Sequence, residues 1–275
     1  MPKSAKRVLD IFELLACFPE GLTFTEIQER LGFPKSSLSA LLQVLASRSY
    51  VETDSANRYT LGMRLMELSN VHLGTRDLIE VVEPTMRIIR DLTGETVNLA
   101  TLDGGDVVFL HKKLAASALR YDTAVGSRMP AYLTSVGKAM ISTLSDNEID
   151  ALFSHDGLVT YTPNSLRTAY ALKAELREIR QKGFATDHEE GLLGVCAVGS
   201  PIQDGSGRVV AGLSVAYPKT RGSDEIERKL AEIVKAGARI VSAKLGHASG
   251  DQALSSDSLK DIWAGMRNDS VRPES

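Results

Sequence analysis

Cysteine is scarce in this chain. Cys17 and Cys196 are the only two among 275 residues, and they lie far apart. That excludes a disulfide framework and leaves free thiols in a reducing cytoplasm as the simplest expectation. No run of 18 apolar residues occurs, so no transmembrane helix is expected. The basic start, Met1 to Arg7, is followed by Asp10 and Glu13 inside an amphipathic stretch, which is not the pattern of a secretory signal. Neither sign of charge dominates: 32 Lys and Arg face 35 Asp and Glu, for a net charge of −3. Whole-chain charge therefore does not advertise a nucleic-acid partner. Residues 1–64 are also nearly balanced, so any DNA contact must depend on where charges point. His72, His111, His155, His188 and His247 are scattered without a metal-ligand spacing, and no metal or cofactor is expected. No internal repeat is visible.

What is present is pattern. Hydrophobic residues make up 43% of the chain, enough for ordinary cores, and the length suggests two domains. Ser4 to Phe18 reads as a first helix, with Val8, Ile11, Phe12 and Leu15 on one face. Thr25 to Leu31 reads as a short second helix, stopped by Gly32-Phe33-Pro34. Glycine there suits a left-handed cap, and proline disfavours a helical residue before it. The next helix carries Leu38, Leu41, Leu42 and Leu45, a stripe that must be buried. Its opposite face shows Lys35, Ser36, Ser37, Ser39, Ala40 and Gln43, small, polar or basic, as a helix in the DNA major groove requires. Tyr50 to Thr53 and Arg58 to Leu61 alternate as strands about the turn residues Asp54 to Asn57. Helix, sharp turn, helix and hairpin together make a winged helix-turn-helix, with Lys35 and Arg58 as phosphate contacts.

The boundaries expected are 1–61 for that domain, 62–74 for a linker helix, 75–246 for a second domain and 247–275 for a polar, disordered tail. In the second domain Asp77 is expected to cap a helix running toward Thr93, with Pro84 inside it. Hairpins are expected around Asp103-Gly104-Gly105 and around Asp204 to Gly207, and Leu119 to Ala124 as a further strand. Gly137 to Leu144 and Leu166 to Lys182 read as helices. Ser145 to Glu148 is a capping box opening another helix, and Asp224 to Leu245 is a long closing helix. Hairpins mixed with helices give an α+β domain on an antiparallel sheet. Leu259, Ile262, Trp263 and Met266 offer one apolar turn pair inside the tail, and a transient docking helix there is the alternative to disorder.

Over residues 4–245 these features resemble the IclR family of bacterial transcriptional regulators. The resemblance is carried by Gly32, Pro34, Lys35, Ser36, Leu41 and Leu42 in the recognition helix and by Tyr59, Leu61 and Gly62 in the wing. Further on it is carried by Gly94 to Leu99, Val125 to Arg128, Thr134 to Ala139, Gly183-Phe184-Ala185, Gly194-Val195-Cys196 and Ala211 to Ser214. It implies a winged helix joined by a linker helix to a GAF-like effector-binding domain, in dimers or tetramers on a palindromic operator. One departure matters: related recognition helices commonly carry His-Arg where this chain has Ser39-Ala40. The commonest base-edge donor is thus missing, and the operator cannot be borrowed from relatives.

The resemblance places the effector at Ser135, Val136, Asp187, Cys196 and Ser214; Ala216 shares the face of Ser214, and Gly194 packs beside the site with Cys196. The free N–H groups at the helix start near Ser135 and Val136 favour an anion, and a small organic carboxylate, a keto acid or an aromatic acid, is the expected effector. The segment Tyr132 to Ala139 grazes a phosphate-loop pattern but lacks its first glycine, and Ala139 replaces the magnesium-holding hydroxyl. His188, Cys196 and Asp187 are the residue types of a Cys-His nucleophilic site, without a supporting local signature. The leading expectation is a ligand-responsive regulator of a catabolic operon. The alternatives are an enzyme or small-molecule carrier with an accessory winged helix, and an architectural DNA-binding protein.

Overall fold

A computed structural model describes residues 3–65, 68, 75–118, 120–153, 157–247 and 255–268. The chain divides into two compact units, 1–78 and 79–275. In the first, helix α1 (Lys3–Ala16) precedes a two-residue strand β1 (Leu22–Thr23), which the sequence did not suggest. Helix α2 (Phe24–Leu31) starts at a capping box: Thr23 Oγ1 accepts from Glu26 N–H, and Glu26 Oε2 accepts from Thr23 N–H at 2.7 Å. It ends on Gly32, whose φ of 65° is the left-handed cap the sequence called for. Helix α3 (Lys35–Ser47) begins just after Pro34. Strands β2 (Val51–Thr53) and β3 (Arg58–Leu61) form the wing, and β1 adds to β3, so the sheet order is β1-β3-β2. Ile11, Leu15, Leu22, Ile27, Leu38, Leu42, Leu45 and Val51 bury together as one core.

Of the linker helix expected over 62–74, Met63–Leu65 and Leu68 are helical, Gly62 is not, and positions 66, 67 and 69–74 lie outside the described residues. The following helix, α4 (Thr75–Thr93), already spans Thr75, so Asp77 lies within its first turn and is not the cap; Pro84 sits inside it.

The second unit is built on six antiparallel strands: β4 (Thr96–Asp103), β5 (Asp106–Lys113), β6 (Arg128–Pro130), β7 (Ala185–His188), β8 (Val195–Gln203) and β9 (Val209–Pro218). Their order is β6-β5-β4-β9-β8-β7. This is the α+β arrangement the hairpins implied. One strand is corrected: Arg128–Pro130, not Leu119–Ala124, lies beside β5. Residues 120–124 form no ladder, and position 119 lies outside the described residues. Helices α5 (Ser135–Ile141), α6 (Asp146–Phe153) and α7 (Ala169–Lys182) precede β7, and α8 (Asp224–Lys244) follows β9. The capping box at Ser145 forms as expected, with Glu148 Oε2 accepting from Ser145 N–H at 2.7 Å.

Alternate residues of the sheet serve opposite helical layers. A Cβ on Gly212 of β9 would strike Val136 and Met140 of α5, whereas Leu213 beside it lies against Gly237 of α8. Both faces are covered, so the strands are buried on both sides. The tail expectation is also corrected in part. Ser256–Asn268 forms a helix, α9, which packs on α8 and buries Leu259 completely. The apolar group around Leu259 therefore had a packing role, and its burial offsets the entropy that a polar tail would otherwise keep.

Candidate ligand cleft and recognition helix

The α5 face of the sheet carries a cleft lined by Asn98, Phe109, Tyr121, Met129, Thr134, Ser135, Val136, Asp187, Gly191, Leu192, Val195, Ala197, Ser214 and Ala216. Strand register explains the set. One row across the sheet runs Asn98–Ser214–Gly199, and the next runs Ala216–Ala197–Asp187. Residues two apart on a strand share a face, so both rows form the same floor. Gly199 is where α5 comes closest: a Cβ there would sit 2.7 Å from Ser135 C and from Val136 N. Glycine at 199 thus lets the start of α5 descend onto the sheet. Thr134 caps that start by accepting from Gly137 N–H at 3.0 Å, and the first-turn N–H groups of Ser135 and Val136 are left outside the helical ladder by geometry. The cleft spans about 400 Å³ including its mouth. Leu192 at the mouth is half exposed.

Five of the seven residues expected at the effector meet here: Ser135, Val136, Asp187, Ser214 and Ala216. Two do not. Cys196 lies one residue out of phase with Ala197, so it faces the α8 layer, buried opposite His188 and Tyr217. Gly194 lies in an exposed turn, its N–H donating to Glu189 Oε1 and its carbonyl accepting from Lys219 N–H. The Cys-His pairing is real in space but not activated. Burial pushes the Cys196 thiol up, and the His188 ring is held by Glu227 Oε2 at 2.5 Å.

The charges beneath the cleft were not anticipated as a group. Lys138, one helical turn past Ser135, is fully buried, and its Nζ donates to Glu190 Oε1 at 2.5 Å and to Glu175 Oε1 at 2.6 Å. Burial opposes its charge, but the Glu190 and Glu175 carboxylates outweigh that and hold its pKa above the ordinary lysine value. Glu190 N–H donates to Asp187 Oδ1 at 2.8 Å. Burial, reinforced by the nearby Glu190 carboxylate, pushes Asp187 up to about 7, although the Glu190 N–H and Lys138 pull the other way. Lys138 is the basic residue of the rejected phosphate-loop pattern; its work is to tie α5 to the loop after β7.

On α3, Leu38, Leu42 and Leu45 are buried, and Lys35, Ser36, Ser39, Ala40 and Gln43 are exposed. Val44, beside Gln43, is exposed too. Ser37 is half-buried and accepts from Arg7 Nη1 at 2.8 Å, while the Arg7 guanidinium stacks on Phe33. Arg58 is also committed within the fold. Its Nη2 donates to Gly21 O at 2.7 Å and its Nε to the Glu20 and Gly21 carbonyls.

A helix-turn-helix unit with a wing and an antiparallel α+β unit with a polar-floored cleft define the class: a two-unit helix-turn-helix protein. Residues 4–55 match the IclR helix-turn-helix domain, and residues 71–243 match the bacterial transcriptional regulator IclR C-terminal domain. The chain belongs to the IclR family of bacterial transcriptional regulators. The HTH-type transcriptional regulator XynR of Escherichia coli is 31% identical over 249 residues, covering 89% of this chain and 98% of XynR. The HTH-type transcriptional regulator KdgR of the same organism is 30% identical, covering 90% and 95%. Among solved structures, the Thermotoga maritima IclR superposes with a TM-score of 0.75 at 27% identity, over 90% of this chain and all of that one. An IclR homolog from Microbacterium hydrocarbonoxydans, complexed with 4-hydroxybenzoate, gives a TM-score of 0.76 at 21% identity, over 88% of this chain and all of that one; this likeness speaks to the fold. The relatives are regulators and not enzymes, which removes the enzymatic alternative.

Proposed function

We propose that this chain is a cytoplasmic DNA-binding regulator of a catabolic operon, and that a small organic carboxylate in the cleft sets its affinity for a palindromic operator. The observation that carries the reading is the cleft floor. Ser135 and Val136, Asp187, and Ser214 with Ala216 come from three separate stretches of the chain yet meet beneath otherwise apolar walls, the mixture a small-molecule site needs. The Ser135 and Val136 N–H groups and the Ser214 hydroxyl donate to the carboxylate. Asp187 repels the ligand less than an ordinary aspartate, since its carboxyl is held near neutral pH. The homolog that holds 4-hydroxybenzoate supports an acid as the ligand class. A single wing with few free cations makes a small DNA footprint, so two copies or two pairs of copies act together on a two-fold site. The acid acts by preferring one spacing of the two DNA-binding units, and a tenfold preference is about 1.4 kcal/mol.

On the DNA side, Lys35, Ser36, Ser39, Ala40 and Gln43 meet the major groove. Ala40 and Val44 present the apolar contact that a thymine methyl takes. Ser37 positions Arg7, and with Arg58 braced on Gly21, Lys35 carries the phosphate contact at the helix start. Lys35→Ala is expected to weaken binding to every duplex and to reduce the salt slope by about one. Gln43→Ala is expected to lose about 1–3 kcal/mol of discrimination at one base pair per half-site. Fluorescence anisotropy on operator variants selected from a random library checks both. Unchanged base preference in Gln43→Ala, together with an unchanged salt slope in Lys35→Ala, removes α3 from the groove.

A further inference from the structure

Asn98 lines the cleft from β4, one strand beyond Ser214, and is 2% exposed. Its Oδ1 is buried with no hydrogen-bond partner among the described residues. A buried amide oxygen left unpaired is costly, and native proteins rarely carry one without use for it. The neighbouring positions offer no relief. On the same strand and face stand Thr96, whose hydroxyl donates to Tyr121 O and accepts from Ala115 N–H, and Ala100, which is apolar. The walls near it are Phe109, Tyr121 and Met129.

We infer that Asn98 selects the effector by its hydroxyl: the ligand is an acid carrying a hydroxyl at the end remote from its carboxylate. The inference rests on the carboxylate reading above and adds the second polar group of the ligand. A hydroxyl is the group that suits Asn98 best, because it donates to Oδ1 and, with the amide turned over, accepts from Nδ2. A keto oxygen can satisfy only one of these orientations, and a methyl neither. Position sets the spacing. Asn98 lies two strands from Gly199, above which Ser135 and Val136 sit, and two strand spacings are about 9–10 Å. That separation puts the hydroxyl at the opposite end of the ligand from its carboxylate, with the carbon frame between them. Phe109, Tyr121 and Met129 supply apolar contact for that middle part. Ligand entry then pairs an atom that is unpaired without it, so the hydroxyl counts for more than it would in an already satisfied site.

The test is calorimetry on the full chain with two matched pairs of acids, benzoate with 4-hydroxybenzoate and hexanoate with 6-hydroxyhexanoate. In at least one pair the hydroxy acid is expected to bind tenfold or more tightly than its parent. Asn98→Leu, close in volume and without polar atoms, is expected to cut that preference to twofold or less. Parent and hydroxy acids binding wild-type protein equally in both pairs overturns the inference and leaves the carboxylate reading standing. A preference retained in Asn98→Leu overturns it as well. If no acid of either pair binds wild-type protein at millimolar concentration, the carboxylate reading falls and the inference with it. The wild-type comparison within each pair stands whether or not the variant folds.

Discussion

Lys138→Met is expected to destabilise the second unit by about 3–5 kcal/mol at pH 8, the cost of removing one partner from a buried ion cluster. The lysine is fully buried and bonded to both Glu190 and Glu175. Without it, the Glu190 carboxylate, whose Oε2 already has no hydrogen-bond partner among the described residues, stays buried without its lysine counter-charge. The loss should shrink at pH 5, where Glu190 can take up a proton instead, since burial already raises its pKa. Urea unfolding followed by Trp263 fluorescence reads this directly, because the single tryptophan lies in α9 of the same unit. Adding Glu190→Gln and Glu175→Gln to Lys138→Met should recover part of the stability, as a neutral set needs no counter-charge. A Lys138→Met variant within 1 kcal/mol of wild type at pH 8 means the cluster is hydrated and does not tie α5 to the loop after β7.

The second large effect concerns pH. Asp187 has its folded pKa raised from 3.8 to about 7. The folded state therefore holds this proton more tightly than the unfolded chain does. The associated stability is full below pH 4, declines as pH rises, and is gone above about 7. Three pKa units correspond to about 4 kcal/mol. Asp187→Asn keeps an oxygen to accept from Glu190 N–H but cannot ionise. Relative to that variant, wild type is expected to lose about 4 kcal/mol between pH 4 and pH 8, with most of the loss between 4 and 7. The comparison cancels the other titrating groups. Parallel stability curves for the two proteins across this range mean that Asp187 is solvated when folded. The same titration predicts tighter acid binding below pH 7, where the protonated Asp187 no longer repels the ligand.

The winged helix was legible because its signals are local. Leu38, Leu42 and Leu45 repeat at helical spacing, and Gly32 and Pro34 punctuate the turn. β1 escaped notice because two residues carry no periodicity. The second unit was harder for a physical reason. β8 reads Val-Cys-Ala-Val-Gly-Ser-Pro-Ile-Gln with helices covering both sheet faces, so apolar and polar residues do not alternate along it. Nothing in such a strand says which parity faces the cleft. Cys196 is therefore placed at the ligand by the resemblance alone, and its strand offers nothing to correct that in favour of Ala197. β6 was misplaced because the apparent alternation at Leu119 to Ala124 says nothing about which backbone groups find a partner, and Arg128–Pro130 takes the β5 edge. The Lys138 cluster joins residues 37 and 52 positions apart, and Asn98 meets Ser214 only through strand register. Neither contact leaves a local pattern.

The most direct test of the central claim is operator binding by the full chain with and without an acid that calorimetry shows to be bound. Such an acid is expected to change affinity for the selected duplex at least tenfold. Ser214→Val, which removes the hydroxyl and narrows the cleft, is expected to bind the same duplex but no longer respond. An acid bound at the cleft with unchanged operator affinity, or a Ser214→Val protein that responds as wild type does, would contradict it.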